Sequence, residues 1–352
     1  MTVSKKMLAG AMLAAASWAA HAGLEIPSPY SSVLVFGDSL SDPGNAAALT
    51  PSNPGPGSLF PPTPNGRFSN GITAAEVMAN MLGKPTQLGW PTASGGTNFA
   101  VGGAMTGTGN FNFEVNSPGG LAAYASSIGV SGIQNQIDMF QPSPGYGATP
   151  LFFLQGGAND MFLGFTRQQL GHPQDFNLIV GTAVNNMADN IGALVAKGAK
   201  TIMVSNMPDL GLTPDVMEGP PGFAAQATAL TNGFNAALAQ AVGGIDASLG
   251  ASYNIFLFDS AGFARDAIAN KPGGLVNVTE ACLDSGAASA SNCAGYLFWD
   301  GVHPTELGHA LTGKAMYDRA IAAAVPEPGA YAMLIAGLLV VAVVRRRANA
   351  AT

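Results

Sequence analysis

The sequence predicts an α/β fold, a three-layer sandwich in which a parallel sheet lies between helices. Two observations lead there: short apolar runs that end in Gly, Asn or Asp, and amphipathic stripes of helical period between them. A helix between consecutive strands implies right-handed crossovers and parallel pairing. Five strands are expected. VLVF at Val33–Phe36 is the first and breaks at the turn Gly37-Asp38-Ser39. Residues 97–101 form a weaker second, followed by LFFLQ at Leu151–Gln155, TIMVS at Thr201–Ser205 and NIFLFD at residues 254–259. Val180, Val184, Met187, Ile191 and Leu194 share one helix face and stop at Gly198, and Phe223, Leu230, Phe234 and Leu238 form a second stripe before Gly243. Both stripes read as core and carry no chemistry.

Two irregular segments interrupt this rhythm, the Pro-rich residues 51–64 and the Gly/Asn/Ser-rich residues 105–132. Loops of that length in a compact domain usually cover a site or move, so they are expected to wall a pocket. The two ends read as addresses. Lys5 and Lys6 precede an apolar run over residues 7–20, and Ala20-His21-Ala22 has the form of a signal-peptidase site, so residues 1–22 are expected to leave and the domain to occupy residues 23–324. Residues 325–352 contain Pro326-Glu327-Pro328, an uncharged apolar run over 329–344, and Arg345, Arg346 and Arg347. That run is a little short of a comfortable membrane span, with its arginines expected on the cytoplasmic side.

Only 10% of residues are charged and the net charge is −7, which argues against a nucleic-acid partner. A Gly-rich phosphate loop ending in Lys-Ser/Thr does not occur, and no cofactor is expected. Cys282 and Cys293 are the two cysteines, and in an exported chain they are expected to close their Gly/Ala/Ser-rich loop as a disulfide. With no histidine beside them they make a poor zinc site, and no metal is expected.

The chemistry starts from Ser39, which the break in the first strand places at the carboxyl end of the sheet. A serine hydroxyl is a weak nucleophile near neutral pH and needs a base, usually one oriented by a third group. Four histidines occur, and with His21 in the leader there remain His172, His303 and His309. His172 in QLGHPQDF has only Asp175 nearby and reads as solvated loop. His303 in FWDGVHPTELGH follows Asp300 in a turn leading to a helix expected from about Thr305, so Asp300 can reach Nδ1 while Nε2 faces outward. His309, farther along that helix, reads as packing or capping support. Ser39, His303 and Asp300 are thus the candidate nucleophile, base and orienting acid. Donors for a developing oxyanion are expected from the N–H of Ser39, from the Gly102-Gly103 pair in TNFAVGGA, and from Asn159 in QGGAND. Asp38 and Asp42 read as turn and helix-start residues that accept backbone N–H bonds.

FGDSLSDPGN, TNFAVGGA, GGAND and DGVHPT, in that order, resemble the sequence blocks of the GDSL, or SGNH, serine hydrolases. GRFSNG at residues 66–71 and NMPDLGLTP at residues 206–214 extend the likeness, which covers residues 32–323. The resemblance implies a flavodoxin-like five-stranded parallel sheet and hydrolysis of carboxylic esters. It implies Ser39 as nucleophile, Gly103 and Asn159 as oxyanion residues, and Asp300 with His303 as acid and base; Gly102 competes for the glycine role. The YLFWDGVHPT ending and the cysteine loop look most like the lipase and esterase branch. The C-terminal end resembles the PEP-CTERM sorting signal of Gram-negative bacteria, which implies an exosortase-type partner, a transient inner-membrane anchor and release to the surface or matrix. The expected activity is an exported esterase or lipase acting on lipid, aryl or acylated-polysaccharide esters. The alternatives are an exopolysaccharide deacetylase or lipid acyltransferase on the same site, and, from another class, a non-catalytic glycan-binding surface protein.

Overall fold

The computed structural model describes residues 27–49, 66–89, 96–112, 131–172, 174–287 and 292–324. The expected leader, residues 51–64 and the sorting segment lie outside the described residues. In chain order the elements are β1 (Val33–Phe36), α1 (Asn45–Leu49), α2 (Ala74–Met81), α3 (Ile133–Met139), β2 (Leu151–Gln155), α4 (Ala158–Gln169), α5 (Gln174–Ala196), β3 (Thr201–Ser205), α6 (Pro214–Met217), α7 (Phe223–Leu249), β4 (Asn254–Phe258), α8 (Ser260–Asn270), β5 (Asn277–Ala281), β6 (Tyr296–Phe298) and α9 (Glu306–Ala324). No helix among the described residues is long and apolar enough to cross a membrane.

The main sheet is parallel in the order β1-β2-β3-β4, with Val33 opposite Leu151, Leu151 opposite Thr201, and Thr201 opposite Asn254. Both faces are covered, which is why the strand interiors are apolar and do not alternate with polar residues, the polar Gln155, Thr201, Ser205 and Asn254 standing at strand ends. Leu34, Phe36, Phe152, Leu154, Ile202, Val204 and Ile255 face one core, which α3, α4, α5 and α7 complete. Val33, Val35, Leu151, Phe153, Met203, Phe256 and Phe258 face the other, closed by α2 and α9. Each fully buried side chain of this size contributes about 1.5–3 kcal/mol relative to exposure.

The sheet has four strands where five are expected. Residues 97–101 do run beside β1: Val35 N–H donates to Thr97 O at 2.8 Å, Phe99 N–H to Val35 O at 2.8 Å and Val101 N–H to Gly37 O at 3.1 Å. Only the Val35–Asn98 bridge qualifies as sheet pairing. On the edge away from β1, side chains serve this segment: Asn45 Nδ2 donates to both Asn98 O and Ala100 O at 2.8 Å, and Asn98 Oδ1 accepts from Ala100 N–H at 3.1 Å. β1 therefore lies between its two spatial neighbours, and the chain reverses direction across the sheet there, the position where open α/β folds carry their sites.

Two further differences from expectation have physical reasons. α7 does not stop before Gly243 but continues to Leu249, ending at Gly250. Each glycine costs a helix about 1 kcal/mol, and the burial of Val242 with the packing of Ile245 and Leu249 on the core offsets it. β5 and β6 form a small parallel sheet beyond the five expected strands. The disulfide Cys282–Cys293 closes the segment between them, and Cys282 N–H donates to Phe298 O at 3.1 Å.

α2 and α9 are joined at their N-terminal ends. Thr73 and Glu76 form a reciprocal capping box on α2, and Glu76 also binds the Arg67 guanidinium. The next N–H, of Ala74, donates to Nδ1 of His309 at 3.1 Å, so a buried histidine of α9 satisfies a donor that α2 cannot. Burial, with the charge of His303 adding, pushes His309 down to about 3.

A histidine in the unfolded chain titrates near pH 6.5, so below that pH the unfolded state binds the extra proton and the folded state loses stability as pH falls. The stability advantage of wild type over His309→Gln should therefore shrink between about pH 7.5 and about pH 5.5 in urea unfolding, by at most about 1.4 kcal/mol per pH unit. An advantage that is constant across this range means that His309 is not held neutral. Replacing both cysteines by serine should lower the unfolding free energy by about 3 kcal/mol, from the loop the bridge closes.

Candidate active site

Ser39 sits in a turn that is braced from beneath. Gln136 on α3 pairs with both backbone groups of Gly37, accepting its N–H at 2.9 Å and donating to its carbonyl at 2.8 Å. Asp38 Oδ1 accepts from Leu40 N–H at 3.1 Å, Ser41 N–H donates to Asp38 O at 3.1 Å, and Ser41 Oγ donates to Gln155 Oε1 at the end of β2 at 3.0 Å. Asp38 is buried, and burial pushes its carboxyl up to about 6 against the pull of the Leu40 N–H and of His303. The turn buries its aspartate and leaves Ser39 partly exposed.

The loop after β6 is built around Asp300. Its Oδ1 accepts from Val302 N–H at 3.0 Å and from His303 N–H at 2.7 Å, which folds the chain so that the imidazole returns over the same carboxylate. His303 Nδ1 lies 2.9 Å from Oδ1 and 2.8 Å from Oδ2. Trp299 N–H donates to His303 O at 2.7 Å and Thr305 N–H to Leu297 O at 2.9 Å, closing the loop on β6. Burial alone would raise the Asp300 pKa. The charge and ring N–H of His303 and the two backbone donors outweigh it and hold the carboxyl below its ordinary range. An ionised Asp300 requires the Nδ1–H tautomer, which leaves Nε2 as an acceptor. Nε2 is 2.8 Å from Ser39 Oγ, across 264 positions of sequence. The ring of Phe68 packs 5.3 Å from that of His303.

The doubled glycine is separated by its hydrogen bonds. Gly102 N–H donates to Asp42 Oδ2 at 2.8 Å, and a Cβ on Gly102 would run into the Phe68 ring. Gly103 has φ +79°, a left-handed conformation suited to glycine, with Asn110 and Asn112 where a Cβ would stand. Among the described residues, the N–H groups of Gly103 and Ser39 have no protein acceptor. Asn159, in the first turn of α4, uses one amide hydrogen on Ala104 O at 3.0 Å and has a second to offer.

Ser39, Gly103, Asn159, Asp300 and His303 all line one cavity of about 540 Å³. Phe162, Phe165, Val216 and Phe223 line it on the α4–α7 side, and Phe263, Ile268, Leu297 and Met316 on the α8–α9 side. A volume and an apolar lining of this kind suit a small lipophilic ligand held by a few polar groups. Phe111 and Asn112, from the described start of the 105–132 segment, line the wall, in keeping with that segment's expected role. His172 is exposed at the end of α4 and outside the cavity. No cluster of His, Cys, Asp or Glu that could hold a metal ion occurs among the described residues.

Sequence reasoning passed over several residues that shape this site. Gln136 and Gln155 have no local signature. Phe68 lies in the GRFSNG stretch quoted for the resemblance, and Asp160 directly follows Asn159, so both stand beside visible motifs without announcing their contacts.

The GDSL-like Lipase/Acylhydrolase family matches residues 33–316 of this chain. A GDSL esterase/lipase of Arabidopsis thaliana is 25% identical over 345 residues, covering 84% of this chain and 88% of that protein. A second from the same plant is 27% identical over 341 residues, covering 82% of this chain and 83% of its own length. Esterase EstA of Pseudomonas aeruginosa is 29% identical over 340 residues and aligns with 89% of this chain, which spans 50% of EstA. With that match running from β1 into α9 and so enclosing every residue of the hydrogen-bonded row, the chain belongs to the GDSL-like lipase/acylhydrolase family of carboxylic-ester hydrolases.

Proposed function

We propose that the protein is an exported serine esterase that cleaves esters of apolar acyl groups with Ser39 as nucleophile. The continuous row Asp300–His303–Ser39, opening into an apolar cavity, carries this reading. His303 Nε2 removes the hydroxyl proton as Ser39 Oγ attacks the carbonyl carbon, and Asp300 holds the imidazole and stabilises the imidazolium. The N–H groups of Ser39 and Gly103 and the free amide hydrogen of Asn159 receive the oxyanion. Collapse of the tetrahedral intermediate expels the alcohol, which takes its proton from His303. Water, activated by the same base, then releases the acid and restores Ser39.

The phenylalanine-rich lining supports an acyl chain over a sugar as the group recognised. Sequence patterns outside the described residues support the rest: a cleaved leader for export, a transient inner-membrane anchor with an exosortase-type partner, and delivery to the cell surface or matrix.

An organophosphonate should label Ser39, as read by peptide mapping, and Ser39→Ala should abolish labelling and turnover together. His303→Ala should lower kcat by about a thousandfold or more with a native circular dichroism spectrum, because the three groups act as a unit. Across p-nitrophenyl esters of increasing chain length, kcat/KM should rise beyond acetate. Turnover confined to acetate and acetylated polysaccharide would instead favour the deacetylase.

A further inference from the structure

Two buried carboxylates outside the Asp300–His303–Ser39 row grip one short loop from opposite ends. Asp42, just past the serine turn, accepts from the N–H groups of Gly44 at 2.8 Å, Asn45 at 2.6 Å and Ala46 at 3.1 Å, which is the helix-start role its position suggests. Its Oδ2 also accepts the N–H of Gly102 at 2.8 Å, a bond that the short helix α1 does not require. Asp160, beside Asn159, accepts from Thr106 N–H at 3.0 Å and Thr106 Oγ1 at 2.8 Å. Gly103 and Ala104 lie between these anchors, and Ala104 O is where the Asn159 amide rests.

The exposures of Asp42 and Asp160 are 0% and 3%. A carboxylate buried so deeply is costly unless its lone pairs are satisfied, and here backbone N–H groups and one hydroxyl satisfy them. Other side chains close the loop from outside: Asn110 Nδ2 donates to Gly102 O at 2.8 Å and Asn190 Nδ2 to Thr106 O at 2.8 Å. The loop is thus held at both ends by the segments that bear Ser39 and Asn159.

We propose that Asp42 and Asp160 are paired positioning residues for the oxyanion donors, Asp42 setting Gly103 against Ser39 and Asp160 setting Gly103 against Asn159. The proposal rests on the reading of Gly103 and Asn159 as oxyanion donors. The three donors come from three separate chain segments, and no covalent geometry fixes their spacing. A misplacement of about 1 Å can cost about a hundredfold in rate. Transition-state stabilisation then depends on both carboxylates, while binding of the unreacted ester in the apolar cavity does not.

The test uses the full chain with p-nitrophenyl butyrate, and an alkyl boronic acid whose tetrahedral adduct on Ser39 places an oxygen where the oxyanion forms. Asp160→Asn and Asp42→Asn should each lower kcat by roughly tenfold to a hundredfold, with KM within about twofold. Affinity for the boronic acid should fall in proportion to kcat. Thr106→Val keeps both carboxylates and removes the hydroxyl that donates to Asp160 and accepts from Asn186 Nδ2 at 3.2 Å, so it should show the same split with a smaller loss, and it serves where an aspartate variant does not fold. Asn159→Ala in the same assay reads the oxyanion assignment itself: unchanged kcat and boronic acid affinity there overturn that assignment and the positioning role with it. If Asn159→Ala is slow while folded Asp160→Asn and Thr106→Val keep wild-type kcat and boronic acid affinity, or change KM alone, the positioning role is overturned and the oxyanion reading stands.

Discussion

The parallel hydrogen bonding that holds β1 between β2 and residues 97–101 is the constraint on which the site depends. Neighbouring strands lie about 4.8 Å apart, so chain segments leaving three adjacent strand ends arrive close together. Ser39 follows β1, Asn159 follows β2 and Gly103 follows residues 97–101. The register of Val35 against Phe153 and Asn98 sets the heights at which these segments begin. Gln136 supports the same arrangement by occupying both backbone groups of Gly37, at the last point before the serine turn.

A charge-poor sequence makes the few buried carboxylates informative. Asp38, Asp42 and Asp160 are each pushed up to about 6 by burial, with backbone or hydroxyl donors opposing the shift. They lie just beyond the carboxyl ends of β1 and β2, Asp160 in the first turn of α4. Directional hydrogen bonds to ionisable groups fix the turns that dispersion and burial leave loose. Asp300 differs in sign, since its charged partner and donors overcome burial.

The base-bearing loop is secured by a different set of contacts. β5, β6 and the Cys282–Cys293 bridge form a small unit against which residues 299–305 fold back. α9 then carries the chain onto α2, where His309 takes up the Ala74 N–H. Phe68 connects the two halves of the site, with one side on Gly102 and its ring against His303. The base is consequently anchored to the small sheet, to the α2–α9 pair and to the oxyanion loop.

Much of this was legible in the chain because the determining patterns are local. Apolar runs covered on both sides announce a parallel sheet whatever they pack against, and Asp300 with His303 is a single turn that builds its own contact. With few histidines in the chain, few bases were available to Ser39, and motif order related the far ends of the domain. Other features were decided only by the tertiary structure. Gly102 and Gly103 are equivalent in sequence until Asp42 takes the N–H of one. Asp160, Gln136 and Phe68 gain their roles from partners more than thirty positions away, for which no periodicity or turn chemistry gives a sign. The second expected strand keeps its backbone bonds to β1 but has asparagine side chains, not a further strand, on much of its outer edge, and β5 with β6 pairs across the loop that the disulfide closes. Local pattern determines which groups are present and which way a segment folds; the distances between segments come from packing, which no single segment contains.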